Sequence, residues 1–87
     1  MSASSSPLRL DELPLRRAAH ILSIDWGRLA ASEARRLREL GFDEGVRIEA
    51  LHRGGLFSRD PIAIRVGRMT VAIRRAVAAA VSVNPAP

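Results

Sequence analysis

The stretch IAIRVGRMTVAIR, residues 62–74, decides the fold. Gly67-Arg68 at its centre is a two-residue turn with glycine first, which suits a type II′ hairpin. That turn sets the register on both sides. Val66 faces Met69, Ile64 faces Val71, and Ile62 faces Ile73. All six of these large apolar residues then share one face, while Ala63, Arg65, Thr70 and Ala72 share the other. A slip of one residue would turn the large side chains outward. Each matched pair contributes on the order of 0.2–1 kcal/mol, so a hairpin with one buried face is predicted here.

Upstream, residues 32–40 (SEARRLREL) predict one helix. Ala34, Leu37 and Leu40 recur every three residues and give a single apolar stripe. Ser32 is the expected N-cap, and Glu33 sits in the first turn, where the helix dipole favours a carboxylate. Gly41 stops the helix. With Gly41 as the left-handed C′ residue, Phe42 is C″ and Leu37 is C3, the two positions that touch in a Schellman ending. Asp43-Glu44-Gly45 then turns into a strand over 46–51, with Val46, Ile48 and Ala50 opposite Arg47 and Glu49.

Ala18–Trp26 is expected to be the first strand, apolar on both faces as in a closed barrel. Asp11-Glu12-Leu13 makes one helical turn before Pro14 interrupts it. Residues 75–80 predict a short helical turn, and Val81–Val83 a closing strand. The chain therefore reads as mainly β, with about five short strands and one helix at 32–40. Closing the sheet buries such short strands and removes their sticky edges. Residues 1–7 and 84–87 read as tails around a domain at 8–83, because the two prolines after Asn84 cannot both join a ladder.

The 87 residues allow one small core, which rarely yields more than roughly 3–5 kcal/mol. Cysteine is absent, which excludes disulfides, zinc ribbons and iron–sulfur clusters and suits a reducing cytoplasm. Net charge is +5, and every lysine-or-arginine position is arginine. That pattern reads as a coding bias rather than a nucleic-acid surface, because residues 32–49 interleave acidic and basic side chains. No apolar run reaches the ~18–20 residues that span a bilayer.

Chemistry-bearing groups are sparse. His20 and His52 fall on separate strands, and Asp43-Glu44 has no helix partner at ligand spacing. No nucleophile elbow is present, and Gly54-Gly55 lacks the residues of a phosphate loop. No catalytic residue, metal ligand or cofactor site is assigned, and no enzyme is expected. Trp26, Phe42 and Phe57 are the only aromatics, too few for a base-stacking surface. Protein binding is what remains. The loop from Arg53 to Asp60 carries Leu56 and Phe57 at its tip, flanked by Arg53 and Arg59. Two readings stand: the pair folds back to plug the barrel end, or it anchors in a partner's pocket.

Three blocks resemble the ferrous iron transport protein A (FeoA) family. Residues 36–45 (RLRELGFDEG), ahead of a valine-led strand, resemble its RLxELGFxxG pattern. Residues 60–64 (DPIAI) resemble its DPhxh strand. Residues 72–74 (AIR), with Ala78 and then Val81-Ser82-Val83, resemble its ALRxxxAxxIxV ending. The blocks keep the family's order and spacing from about Leu10 to Val83. Two departures stand out: Pro14-Leu15 replaces the family's Pro-Gly, and Val77 stands where an acidic residue is common. The resemblance implies an SH3-like barrel in the cytoplasm, without membrane insertion. It implies an accessory or adaptor role in ferrous iron uptake, docking on or regulating the cytoplasmic region of a FeoB-type transporter, with a link to transition metal ions and weak self-association. The C-terminal SH3-like domain of iron-dependent repressors shares this fold and is the alternative. Because the sequence shows no helix-turn-helix unit between its tails, a free-standing accessory is preferred.

Overall fold

The hairpin forms in the expected register. In the computed structural model, which describes residues 7–54 and 60–86, Ile62–Val66 (β4) and Met69–Ile73 (β5) pair as Ile62↔Ile73, Ile64↔Val71 and Val66↔Met69. Gly67 takes φ +59° and Arg68 has no positive φ, the type II′ combination. Ile62, Ile64, Val66 and Ile73 are buried and Val71 is half-buried. Met69 departs from the pattern at 48% exposed: it shares the apolar face but stands beside the turn, where nothing covers it.

The helix, Ala31–Glu39 (α1), starts earlier than expected. Ala30 takes the N-cap position and Ser32 lies inside the first turn. Alanine has no side-chain acceptor, so the end is secured from the other direction. The Ala30 N–H donates to Glu33 Oε1 at 3.0 Å, which is half of a capping box. The C-terminal end is a Schellman motif as read. Gly41 has φ +92°, the Phe42 N–H donates to the Leu37 carbonyl at 3.0 Å, and the Gly41 N–H to the Arg38 carbonyl at 3.1 Å. Leu37 and Phe42 are both buried in the core. The following turn closes through the Val46 N–H and the Asp43 carbonyl at 3.2 Å, with Gly45 at φ +85°.

The remaining elements are Leu8–Arg9 (β1), Ala18–Ile24 (β2), Arg47–Arg53 (β3), Arg75–Ala78 (α2) and Val81–Pro85 (β6). All pairings are antiparallel, in the order β1-β6-β2-β3-β4-β5. The fold is mainly β, with six strands among the described residues rather than about five. The sixth is β1, which enters the sheet just before a 3₁₀ turn at Leu10–Glu12. No ladder joins β1 to β5, so the expected closure is not made by strand pairing among the described residues.

The C-terminal tail expected from Asn84 is corrected. β6 continues to Pro85, which stands opposite Ala19, and the Ala86 N–H donates to the Ala18 carbonyl at 2.9 Å. β1 does not extend beside Pro85, since Leu8 pairs with Val83. The expected N-terminal tail lies outside the described residues except for Pro7.

β2 does not alternate as the sequence suggests. A bulge between Ile21 and Ser23 makes Leu22 an extra residue against β6. Ile21 and Ile24 therefore both reach the core, and Leu22 is 41% exposed. A second bulge in β3, between Ala50 and His52, carries that strand on to Arg53. The buried residues form one apolar cluster; among the described residues no polar or charged residue is buried as a whole, though the Asp11 side chain is only 6% exposed.

Candidate functional site

The loop singled out by the sequence leaves β3 at Arg53 and enters β4 at Ile62, and these two residues pair across the ladder. The Gly54 N–H donates to the Pro61 carbonyl at 2.8 Å. A β carbon on Gly54 would lie 3.4 Å from that oxygen, an ordinary van der Waals distance, so the bond and not the lack of a side chain holds the two stretches together. Leu56, Phe57 and Arg59 lie outside the described residues.

Two charged side chains fasten the base of this loop to distant elements. Asp60 Oδ1 accepts from the Arg75 N–H at 2.8 Å, at the start of α2. A carboxylate there satisfies a backbone donor that the helix leaves free and suits the positive end of its dipole. Arg53 is half-buried, and its Nη2 donates to the carbonyls of Asp11 (3.3 Å) and Leu13 (3.0 Å). Sequence reasoning placed Arg53 in the loop as a flanking cation, whereas here it ends β3 and holds the first turn. That turn is itself braced by Arg9, which grips Asp11 through two contacts of 3.0 Å. The hydrogen bond to Asp11 is the main cause that lifts the Arg9 guanidinium above its ordinary value.

His20 on β2 and His52 on β3 are both exposed; His20 stands opposite Arg47, and His52 opposite Ala63. Among the described residues, no group of three or more histidine, cysteine or acidic side chains converges as a metal site. The described aromatics are committed elsewhere. Phe42 is core, and Trp26 packs on the core with Arg38 stacked over its ring, 4.3 Å from the centroid. No helix among the described residues is long and apolar enough to cross a membrane.

The fastening roles of Asp60 and Arg53 were not legible in the sequence. Their bonds join residues 15 and 40 or more positions apart, and no local spacing marks them. The only visible signal was Asp60 standing directly before Pro61 and a strand.

A family model described as the FeoA domain matches residues 8–85. Among solved structures, the chain is similar to the zinc-complexed FeoA of Stenotrophomonas maltophilia, described as a prokaryotic SH3 domain protein and a suggested ferrous iron transport activating factor. Identity is 35%, the match covers 88% of this chain and 89% of that one, and the TM-score is 0.73. The FeoA protein of Chlorobium tepidum is 26% identical over 92% of this chain and 71% of that one, with a TM-score of 0.78. T. acidophilum IdeR shares the fold at 16% identity, over 99% of this chain and 37% of that one, with a TM-score of 0.74. No match was found among curated proteins. With an SH3-like fold and a family match over nearly its whole length, the chain belongs to the FeoA family, which is linked to ferrous iron transport.

Proposed function

We propose that this chain is a small cytoplasmic accessory protein of ferrous iron uptake that docks on the cytoplasmic region of a FeoB-type transporter. The observation that carries this reading is the FeoA domain match over residues 8–85. The description of the Stenotrophomonas maltophilia relative as a suggested transport activating factor supports it. The chain acts by binding and not by catalysis.

Leu56 and Phe57 are the proposed anchor, with Arg59 beside them. Arg53 takes the supporting part, because its guanidinium holds the Asp11 and Leu13 carbonyls. The test is a pull-down of the transporter's cytoplasmic region by the wild-type chain and by a Leu56→Ser/Phe57→Ser variant. The variant is expected to lose association while its thermal unfolding stays close to wild type. A large loss of stability instead places the pair in the barrel end and removes it from the interface.

A second reading, a regulatory domain of an iron-dependent repressor, is favoured by one observation, the fold match to IdeR over 99% of this chain. The neighbouring reading frame separates the two. A transporter with a GTP-binding motif supports the accessory, and a helix-turn-helix unit encoded in the same frame supports the repressor.

A further inference from the structure

Among the described residues, β5 is an open edge of the sheet. In a two-residue hairpin the residues flanking the turn exchange hydrogen bonds, and bonded pairs then alternate along the ladder. Val66–Met69, Ile64–Val71 and Ile62–Ile73 are therefore the bonded pairs, and the backbone groups of Thr70 and Ala72 point away from β4. Arg36 on α1 agrees with that direction, since its Nη2 donates to the Ala72 carbonyl at 3.4 Å. The Thr70 N–H, the Thr70 carbonyl and the Ala72 N–H find no partner among the described residues.

Beside this edge runs a shallow groove of about 90 Å³ between α1, β5 and α2. Its floor is apolar, from Leu37, Ile73 and Val77, and Arg36 and Arg74 stand on its rim. Glu33 is the one acidic group lining it, and that carboxylate already holds the Ala30 N–H. Arg68 is exposed at the far end of β5, next to the exposed Met69. An unpaired strand edge, an apolar floor and basic side chains along it thus coincide.

We propose that β5 accepts an added strand from a partner protein, an extended segment in which apolar and acidic residues alternate. Its backbone pairs with the Thr70 N–H and carbonyl and the Ala72 N–H, its apolar side chains lie along Val71 and the groove, and its carboxylates meet Arg36, Arg68 and Arg74. Strand addition draws affinity from main-chain bonds and specificity from alternate side chains. Charge selects the occupant. Antiparallel pairing of β5 with β5 of a second copy would set Arg68 of each copy toward Arg36 and Arg74 of the other, which like-charge repulsion opposes. The proposal rests on reading the chain as a docking module, but not on the transporter being the partner.

The test is a titration of the isotope-labelled full chain with a capped ten-residue peptide alternating Glu and Val, at low and at physiological salt. Shifts and slowed exchange are expected at the Thr70 and Ala72 amides, weakening as salt rises. Thr70→Pro removes the outward donor and leaves the β4 ladder whole, because proline is tolerated where the N–H faces out of the sheet. It is expected to weaken binding several-fold, and Arg36→Glu/Arg74→Glu by about tenfold or more, because contacts to charged groups contribute more than neutral hydrogen bonds. The charge variant keeps the edge testable where the proline variant does not fold. Absence of β5 shifts at millimolar peptide, shifts confined to another face, or equal affinity for these variants overturns the proposal. So does a peptide-free dimer that Thr70→Pro dissociates, which assigns the edge to a second copy. A Thr70→Pro chain that binds the transporter region as well as wild type removes the edge from that interface while the proposed function stands. A wild-type chain that binds the peptide but not the transporter does the reverse.

Discussion

Replacing Phe42 with alanine probes how the helix ending is coupled to the core. Phe42 is 2% exposed and occupies C″ of the Schellman motif, with its N–H on the Leu37 carbonyl. The backbone bonds of that ending depend on Gly41, so α1 still stops at the same place. What is lost is packing, and a buried Phe→Ala change costs about 3–5 kcal/mol. A single core in 87 residues holds only roughly 3–5 kcal/mol, so the change removes most of the domain's stability. At about 4–8 °C per kcal/mol for this size, Tm falls by about 12–40 °C. Thermal melts followed by far-UV circular dichroism measure this directly, and urea titration checks that the slope of the transition is unchanged. Phe42→Leu keeps most of the apolar volume and loses about half as much or less. A fall in Tm below about 5 °C for the alanine variant, equivalent to about 1 kcal/mol, refutes the reasoning, because it means the side chain is not a core element.

Three further outcomes follow from the fastenings around the loop and the first turn. Asp60→Ala removes the acceptor for the Arg75 N–H; a loss of about 1 kcal/mol and faster hydrogen exchange at Arg75 are expected, and unchanged exchange contradicts the cap. Arg53→Ala leaves the Asp11 and Leu13 carbonyls without their donor; denaturant unfolding should show a loss of about 1–3 kcal/mol, and a neutral result contradicts a fastening role. Arg16 has φ +66°, a conformation that costs an L-residue roughly 1–2 kcal/mol. Arg16→Gly relieves this, partly offset by glycine's freedom in the unfolded chain, so calorimetry should show a net gain of up to about 1 kcal/mol; a lower Tm contradicts it.

The elements that the sequence made legible are those whose geometry is local. Gly67-Arg68 fixes the hairpin register within thirteen residues, and Gly41-Phe42 fixes the helix ending within six. Features set by distant partners were not legible. The bulge at Leu22 depends on how β2 lies along β6, and it reverses the apparent alternation halfway along the strand. The N-cap moved to Ala30 because Glu33 reaches back to it, which outweighs the serine's own capping preference. Arg53 read as a loop cation because nothing nearby in sequence shows the carbonyls it holds. The same limit applies to β5: its pairing with β4 was readable, whereas its place at the edge depends on the order of all six strands. Family membership was legible because its three blocks are chiefly structural signals that survive in order.

The central claim is that this FeoA-family chain works by binding a transporter. Isothermal calorimetry of the purified chain against the cytoplasmic region of the FeoB-type transporter, run without nucleotide and with GDP or a non-hydrolysable GTP analogue, tests it most directly. Saturable one-site binding in at least one nucleotide state is the predicted result. No heat of binding in any state, with both proteins folded, contradicts it.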